Sequence, residues 1–475
     1  MTCMESAHSL RNRRSGRLSG DHPLDLATNG PPLSITLRAD INRSLRAWLL
    51  HHRRENDLQM PSERDRLHFV GSIPSSSSED VFRQLSTQVG QFLRRMPDGE
   101  TGERTLWIKF QQKMLFEHPA MEPDPTHPPL PVRQADGTVH RHIQLLRLKP
   151  DADPNTVEFQ TGYDQAAAAS YGFFRELRDA HVVPAHMRLQ VALPTPMATG
   201  LMYVSPAGRD RYLRAYERSL LKALRNIFRV IPHRDLSIQF DVCQEVLLFE
   251  NYFPTREPNY KQPVFEQFGR LGAAVPNDVE LGFHLCYGSP GDQPLLILKN
   301  AGVLAELMKG IGDYVRRPVE FIHIPIPKHA TEAFFAPLRN WRWPEGTSLY
   351  LGLLQFNDEA GNRARIGAAQ RVVDDFGVAA GCGFGRTDPS RMPTILASHR
   401  RAISSGNQVA LPLRVFTIDV LIRTYTSSFA SFCSFAIWVT KLSSGLLREM
   451  RTSVISAVPD SLSPGRTGLI HFRPS

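Results

Sequence analysis

The hydrophobic rhythm of the chain changes near residue 66. Residues 1–62 are polar, Arg-rich and weakly patterned, with one helical stretch over 41–52. Beyond them, short apolar runs alternate with longer amphipathic stretches. The short runs predict strands over 67–71, 157–160, 188–193, 237–242, 280–286, 319–324, 348–354 and 376–382. Most of the gaps predict helices, over 79–95, 165–180, 209–231, 260–271, 301–314 and 359–375. Eight strands with helical crossovers favour an α/β (β/α)8 TIM barrel over an open doubly wound sheet. The Pro-rich stretch 119–131 reads as a long loop inserted after the first unit, and 140–148 adds a small strand.

This pattern divides the 475 residues into a disordered extension (1–62), a barrel (63–402) and an irregular tail (403–475). The tail is Ser-rich, and Arg414, Asp419 and Arg423 interrupt its apolar runs, so a closing helix for the barrel must come from 389–404. The formal net charge of +9 points toward nucleic acid until its distribution is read. Ten Arg face eight acidic residues in 1–65, and seven Lys or Arg face three acidic residues in 403–475. Much of the excess thus lies on the two ends, without a basic stripe interleaved with aromatics, and no nucleic acid partner is expected. Cys3, Cys243, Cys286, Cys382 and Cys433 are too few and too scattered for a disulfide framework, which implies a reducing, cytoplasmic compartment. The N-terminus has no apolar core of a secretory signal. The uncharged stretch 424–440 is too short and too rich in Ser and Thr for a membrane helix, so no membrane partner is expected.

The candidate chemistry starts in Glu280-Leu281-Gly282-Phe283-His284-Leu285-Cys286. Side chains alternate along a strand, so Leu281, Phe283 and Leu285 share one face while Gly282, His284 and Cys286 share the other. Imidazole nitrogen and thiolate sulfur together suit Zn²⁺. Catalytic groups of such barrels sit at the C-terminal strand ends. Cys286, Cys382, Asp241, His323 and Ser72 all fall at or just past strand ends, on one rim. Cys243 has no ligand partner in the pattern and reads as core.

Several fragments, in order, resemble the barrel superfamily of cobalamin-independent methionine synthase, its thiol methyltransferase relatives and uroporphyrinogen decarboxylase. They are Val70-Gly71-Ser72-Ile73-Pro74, Asp98-Gly99-Glu100, Ile238-Gln239-Phe240-Asp241, His284-Leu285-Cys286 and Cys382-Gly383. The resemblance covers 67–402 and implies a catalytic barrel alone. It implies that His284, Cys286 and Cys382 ligate Zn²⁺. It also implies that Gly71 and Ser72 hold a substrate carboxylate, while Glu100 and Asp241 hold its ammonium group. The family's Glu ligand falls near the end of the sixth strand, where this chain has Glu320-Phe321-Ile322-His323. His323 could replace it as fourth ligand, or Glu320 could serve. Gln355 lies where the family has a catalytic His.

The resulting expectation is a zinc-dependent enzyme that transfers a methyl or alkyl group to a small-molecule thiol activated as the zinc thiolate. One alternative is a metal-free lyase resembling the decarboxylase branch. Another is a degenerate barrel that binds a small ligand or a protein. The sequence leaves the donor, the acceptor thiol and the oligomeric state open.

Overall fold

The computed structural model describes residues 66–339 and 346–406, and the backbone of 420–425, 434–439 and 455–456. Eight parallel strands form the barrel: β1 (Leu67–His68), β2 (Arg95–Pro97), β3 (Arg188–Pro194), β4 (Leu236–Val242), β5 (Glu280–Leu285), β6 (Phe321–Pro325), β7 (Ser348–Leu354) and β8 (Gly377–Ala380). They follow the order β1-β8-β7-β6-β5-β4-β3-β2. Between β1 and β2 the ring closes through two isolated parallel bridges, Leu67 with Leu93 and Ser72 with Gly99.

Helices cross outside the ring: α1 (Ser78–Val89), α2 (Tyr163–Asp179), α3 (Arg209–Val230), α4 (Lys261–Ala273), α5 (Gly302–Tyr314), α6 (Glu332–Phe335), α7 (Glu359–Gln370) and α8 (Met392–Gly406). In α3 the buried residues Tyr212, Ala215, Tyr216, Ser219, Leu220, Ala223, Leu224 and Ile227 recur at helical spacing and form its buried face. The α8 helix is the closing helix the sequence demanded.

Seven of the eight predicted strands are present. The second is not 157–160. That segment lies over the helical layer, where the Phe159 N–H donates to Ser219 Oγ at 2.9 Å and Arg218 bonds the Val157 carbonyl. The true β2 is the Arg95-Met96-Pro97 run, which follows α1 where one longer helix was expected. The insertion after β2 is more ordered than a loop with one strand. It holds two antiparallel ribbons, Met121–Pro123 with Leu146–Leu148 and Leu130–Arg133 with Val139–Ile143. The 1–62 extension lies outside the described residues, as does most of 403–475. Within that tail, Val420–Tyr425, Ser434–Val439 and Ile455–Ser456 pair as antiparallel strands, which the irregular reading did not anticipate. No helix among the described residues is long and apolar enough to cross a membrane.

Both faces of β4 and β5 are buried. Outward residues such as Phe240 and Phe283 pack under helices, and Phe283 meets Phe268 of α4 edge-on. The inward face is polar, and its lowest layer plugs the barrel. Buried Arg95 bonds Glu280 at 3.3 Å and the Tyr350 hydroxyl at 3.2 Å, and it stacks 4.0 Å over the Phe321 ring. Arg94 and Arg188 reach the same Glu280 carboxylate.

Candidate metal centre

Parallel register sets four inward side chains in one transverse row. Asp241 pairs with His284, His284 with His323, and His323 with Tyr350. One step above the row, the Cys286 N–H still bonds the Val242 carbonyl at 2.9 Å, so Cys286 keeps strand geometry and projects on the His284 side. Cys382, just past β8, brings the second sulfur to 3.7 Å from Cys286 Sγ. One ligating atom from each of His284, Cys286 and Cys382 lies within 4.8 Å of the others.

His323 takes a different position. It contacts His284, Nδ1 to Nδ1 at 2.7 Å, and its Nε2 bonds the Ala380 carbonyl at 3.0 Å. Both ring nitrogens are engaged, so the structure does not bring His323 into the donor group as a fourth ligand. Glu320 is no substitute. It sits at the opposite end of β6, where it accepts the Leu281 N–H and pairs with Arg317.

The donor set fits a zinc ion on two observations. His284 Nε2 is buried with no hydrogen-bond partner. Two sulfurs on a tetrahedral zinc with bonds of about 2.3 Å lie about 3.8 Å apart, close to the spacing seen. Burial pushes the His284 imidazole down to about 4, with the Cys382 thiol opposing the shift, so the ring is neutral and able to ligate. The Cys286 thiol presses on Cys382 and, with burial, pushes it up to about 12. Cys286 is itself raised, first by the adjacent Cys243 thiol. Metal-free, these sulfurs hold their protons; a divalent cation beside them reverses that preference.

No family model matches the sequence, and no curated protein matches it. The chain is similar to solved structures of B12-independent methionine synthases. One is from Shewanella sp. W3-18-1, in complex with selenomethionine, at 12% identity and a TM-score of 0.45, covering 73% of this chain and 98% of that one. Another, a candidate vitamin-B12 independent methionine synthase from Listeria monocytogenes, is 15% identical with a TM-score of 0.41, over 71% of this chain and 96% of that one. A methyltransferase from Methanosarcina mazei is 10% identical with a TM-score of 0.40, over 71% and 94%.

Beside the sulfurs lies an acidic corner. Asp241 accepts from Trp107 Nε1 at 3.0 Å and from Gln239 Nε2 at 2.9 Å. Glu100 follows β2 with φ of 46°, and its N–H is held by Asp98, which also pairs with Arg104 and accepts from Ser170. The Asp98 carboxylate therefore braces the turn that presents Glu100. Gly71 leaves room for this side chain, because a Cβ on it would stand 2.8 Å from Glu100 Oε1 and push the carboxylate aside. Burial raises both carboxyls, Asp241 to about 8, and each presses on its charged neighbours. Ser72 Oγ accepts the Gly385 N–H at 3.2 Å, which leaves its hydroxyl proton to donate.

These groups line one cavity of about 420 Å³. The same lining carries a basic wall of Lys109, Arg141 and Arg386. Sequence reasoning missed that wall, and also Trp107 as the partner of Asp241. Arg386 bonds Ser289 and sits 3.8 Å from Cys382 Sγ; its place four residues after Cys382 was the available signal. Arg141 comes from the inserted ribbon. The ribbon is tied across the mouth by Gln134 to the Pro290 carbonyl, Ala135 to the Pro294 carbonyl, and the Arg133 backbone to Tyr252. Tyr203 is buried, and its hydroxyl bonds the Ile108 carbonyl, so it packs at the cavity wall.

Proposed function

We propose that this protein is a zinc-dependent enzyme that transfers a methyl or alkyl group to the sulfur of a small thiol bearing an ammonium and a carboxylate group. The spacing of Cys286 and Cys382, with an orphaned His284 nitrogen beside them, carries the reading. Zinc held by His284, Cys286 and Cys382 supplies the positive charge that favours a substrate thiolate at neutral pH.

The chain's own residues do the rest. Asp241 and Glu100 gain an ammonium partner, which offsets their burial and lets them ionise. The Ser72 hydroxyl donates to the carboxylate. Trp107 and Gln239 fix the Asp241 carboxylate, so the amino end of the thiol has one orientation. The thiol proton is released to solvent. A sulfur lone pair then forms the new S–C bond, while the bond from that carbon to the donor breaks and its electron pair leaves with the donor. The basic wall of Lys109, Arg141 and Arg386 suits a donor that carries or develops negative charge.

Metal content of the purified full chain tests the proposal. About one zinc per chain is expected, with most of it lost in Cys286→Ser and in Cys382→Ser. Stoichiometric zinc that survives both substitutions would overturn the assignment. A small aminothiol should perturb the visible spectrum of the cobalt-substituted protein; an aminothiol that leaves it unchanged removes thiol activation.

A further inference from the structure

The position of His323 raises a question that the donor set leaves open: what fixes which nitrogen of His284 faces the sulfurs. His323 is fully buried, as is His284. Their hydrogen-bond partners are each other and a backbone carbonyl, with no carboxylate among them to balance a buried charge, so each ring is neutral and carries one N–H and one lone pair.

The proton positions then follow in sequence. The Ala380 carbonyl can only accept, so His323 carries its proton on Nε2. Its Nδ1 is therefore a lone pair. The 2.7 Å contact between the two Nδ1 atoms requires one proton, and that proton must sit on His284. His284 Nε2 is left as a bare lone pair, and it is the buried atom without a partner. Ring nitrogens that ligate metals commonly depend on such a partner at the other nitrogen.

We propose that His323 is a positioning residue that locks His284 in the tautomer able to ligate a metal through Nε2; this rests on the zinc reading given above. The lock has a second consequence. Ala380 lies two residues before Cys382, so the same imidazole ties the strand bearing the histidine ligand to the strand leading to a sulfur ligand. One side chain on β6 thereby sets the position of donors on β5 and β8. His323 acts through His284 and Ala380 and does not itself touch the metal.

Three measurements on the full chain test this. Nitrogen-15 NMR of the metal-free protein should show His323 protonated at Nε2 and His284 at Nδ1; the opposite pair of tautomers overturns the proposal whether or not any metal binds. X-ray absorption of the zinc-loaded protein should show two sulfurs and one imidazole; two imidazoles, one of them lost in His323→Leu, would make His323 a ligand and overturn it. Zinc affinity by chelator competition should fall about 10- to 100-fold in His323→Leu. His323→Gln, which keeps one donor and one acceptor, should recover much of that loss. An unchanged affinity in His323→Leu overturns the proposal. Should His323→Leu fail to fold, the tautomer measurement and the Gln variant still decide. A wild-type chain that binds no zinc removes the functional reading, while the tautomers remain independently testable.

Discussion

Asp241 is a carboxyl that the fold protects from water but does not supply with a cation. Its raised value near 8 follows from burial, against an ordinary value of about 3.9 in the unfolded chain. The folded state therefore keeps a proton that the unfolded state loses. Stability from this group is complete below about pH 4 and declines as pH rises toward 8. Asp241→Asn should leave urea unfolding at pH 4 nearly unchanged and stabilise the chain at pH 9, by roughly 1–3 kcal/mol. The same variant should bind an aminothiol more weakly at every pH. A wild type that is the more stable of the two at pH 9 would show that a cation already compensates Asp241. The residue-level site was legible in part because strand alternation is local: His284 and Cys286 must share a face whatever the rest of the chain does. Trp107 was not legible as the partner of Asp241, because a hydrogen bond across 134 positions leaves no periodic trace. The placement of His323 was not legible either. A strand-end His offers a ligand or a hydrogen-bonding ring equally well until its two nitrogens are counted.

Elements were read well where both sides of a strand are covered. Strands such as β4 and β5 present continuous buried runs, and apolar outward positions betray them. The short β2 strand escaped for the converse reason. It has three residues, and it sends an arginine into the barrel and ends on proline. Charge recognition by Glu280 holds it in place, which leaves no hydrophobic signature. The decoy at 157–160 had alternating Val and Phe, but those side chains serve the helical layer; Phe159 packs against the rings of His118, Tyr212 and Tyr216. Within β5, Gly282 marks a close approach. A Cβ there would lie 2.2 Å from the buried Phe321 ring. Gly282→Ala should cost about 1–3 kcal/mol in chemical denaturation, as overpacked interiors do. A second change, Phe321→Leu, should restore part of that loss. An Ala variant as stable as the wild type would mean that the ring moves freely, contrary to its packing beneath Arg95.

At the scale of the whole molecule, the ring of strands is unequal. The ladders from β3 to β5 each pair along six residues, whereas β1 and β2 meet through isolated bridges. Both strands at this seam lead directly into site residues, Gly71 and Ser72 from one and Glu100 from the other. Amide hydrogen exchange should therefore be faster in 67–73 and 95–100 than in β4 and β5, and an aminothiol that grips Glu100 and Ser72 should slow it. Equal protection around the ring would show that the seam is held by more than its bridges. Acid should weaken the same seam. Burial opposes the charge on Glu280, but Arg95, Arg94 and Arg188 overcome it and keep the carboxyl below its usual range. Stability from that cluster is present above the unfolded value of about 4.3 and is lost as pH falls through the lower folded value.

The arginine plug beneath and the inserted ribbon above have a kinetic meaning. A cavity stoppered at its base and crossed by a ribbon at its brim would admit both reactants of the proposed transfer by one route. Under the proposed transfer, the thiol that reaches Asp241 would enter before the donor, and the spent donor would leave before the product. Such an order would follow from the shape of the cavity, and product-inhibition kinetics would test it.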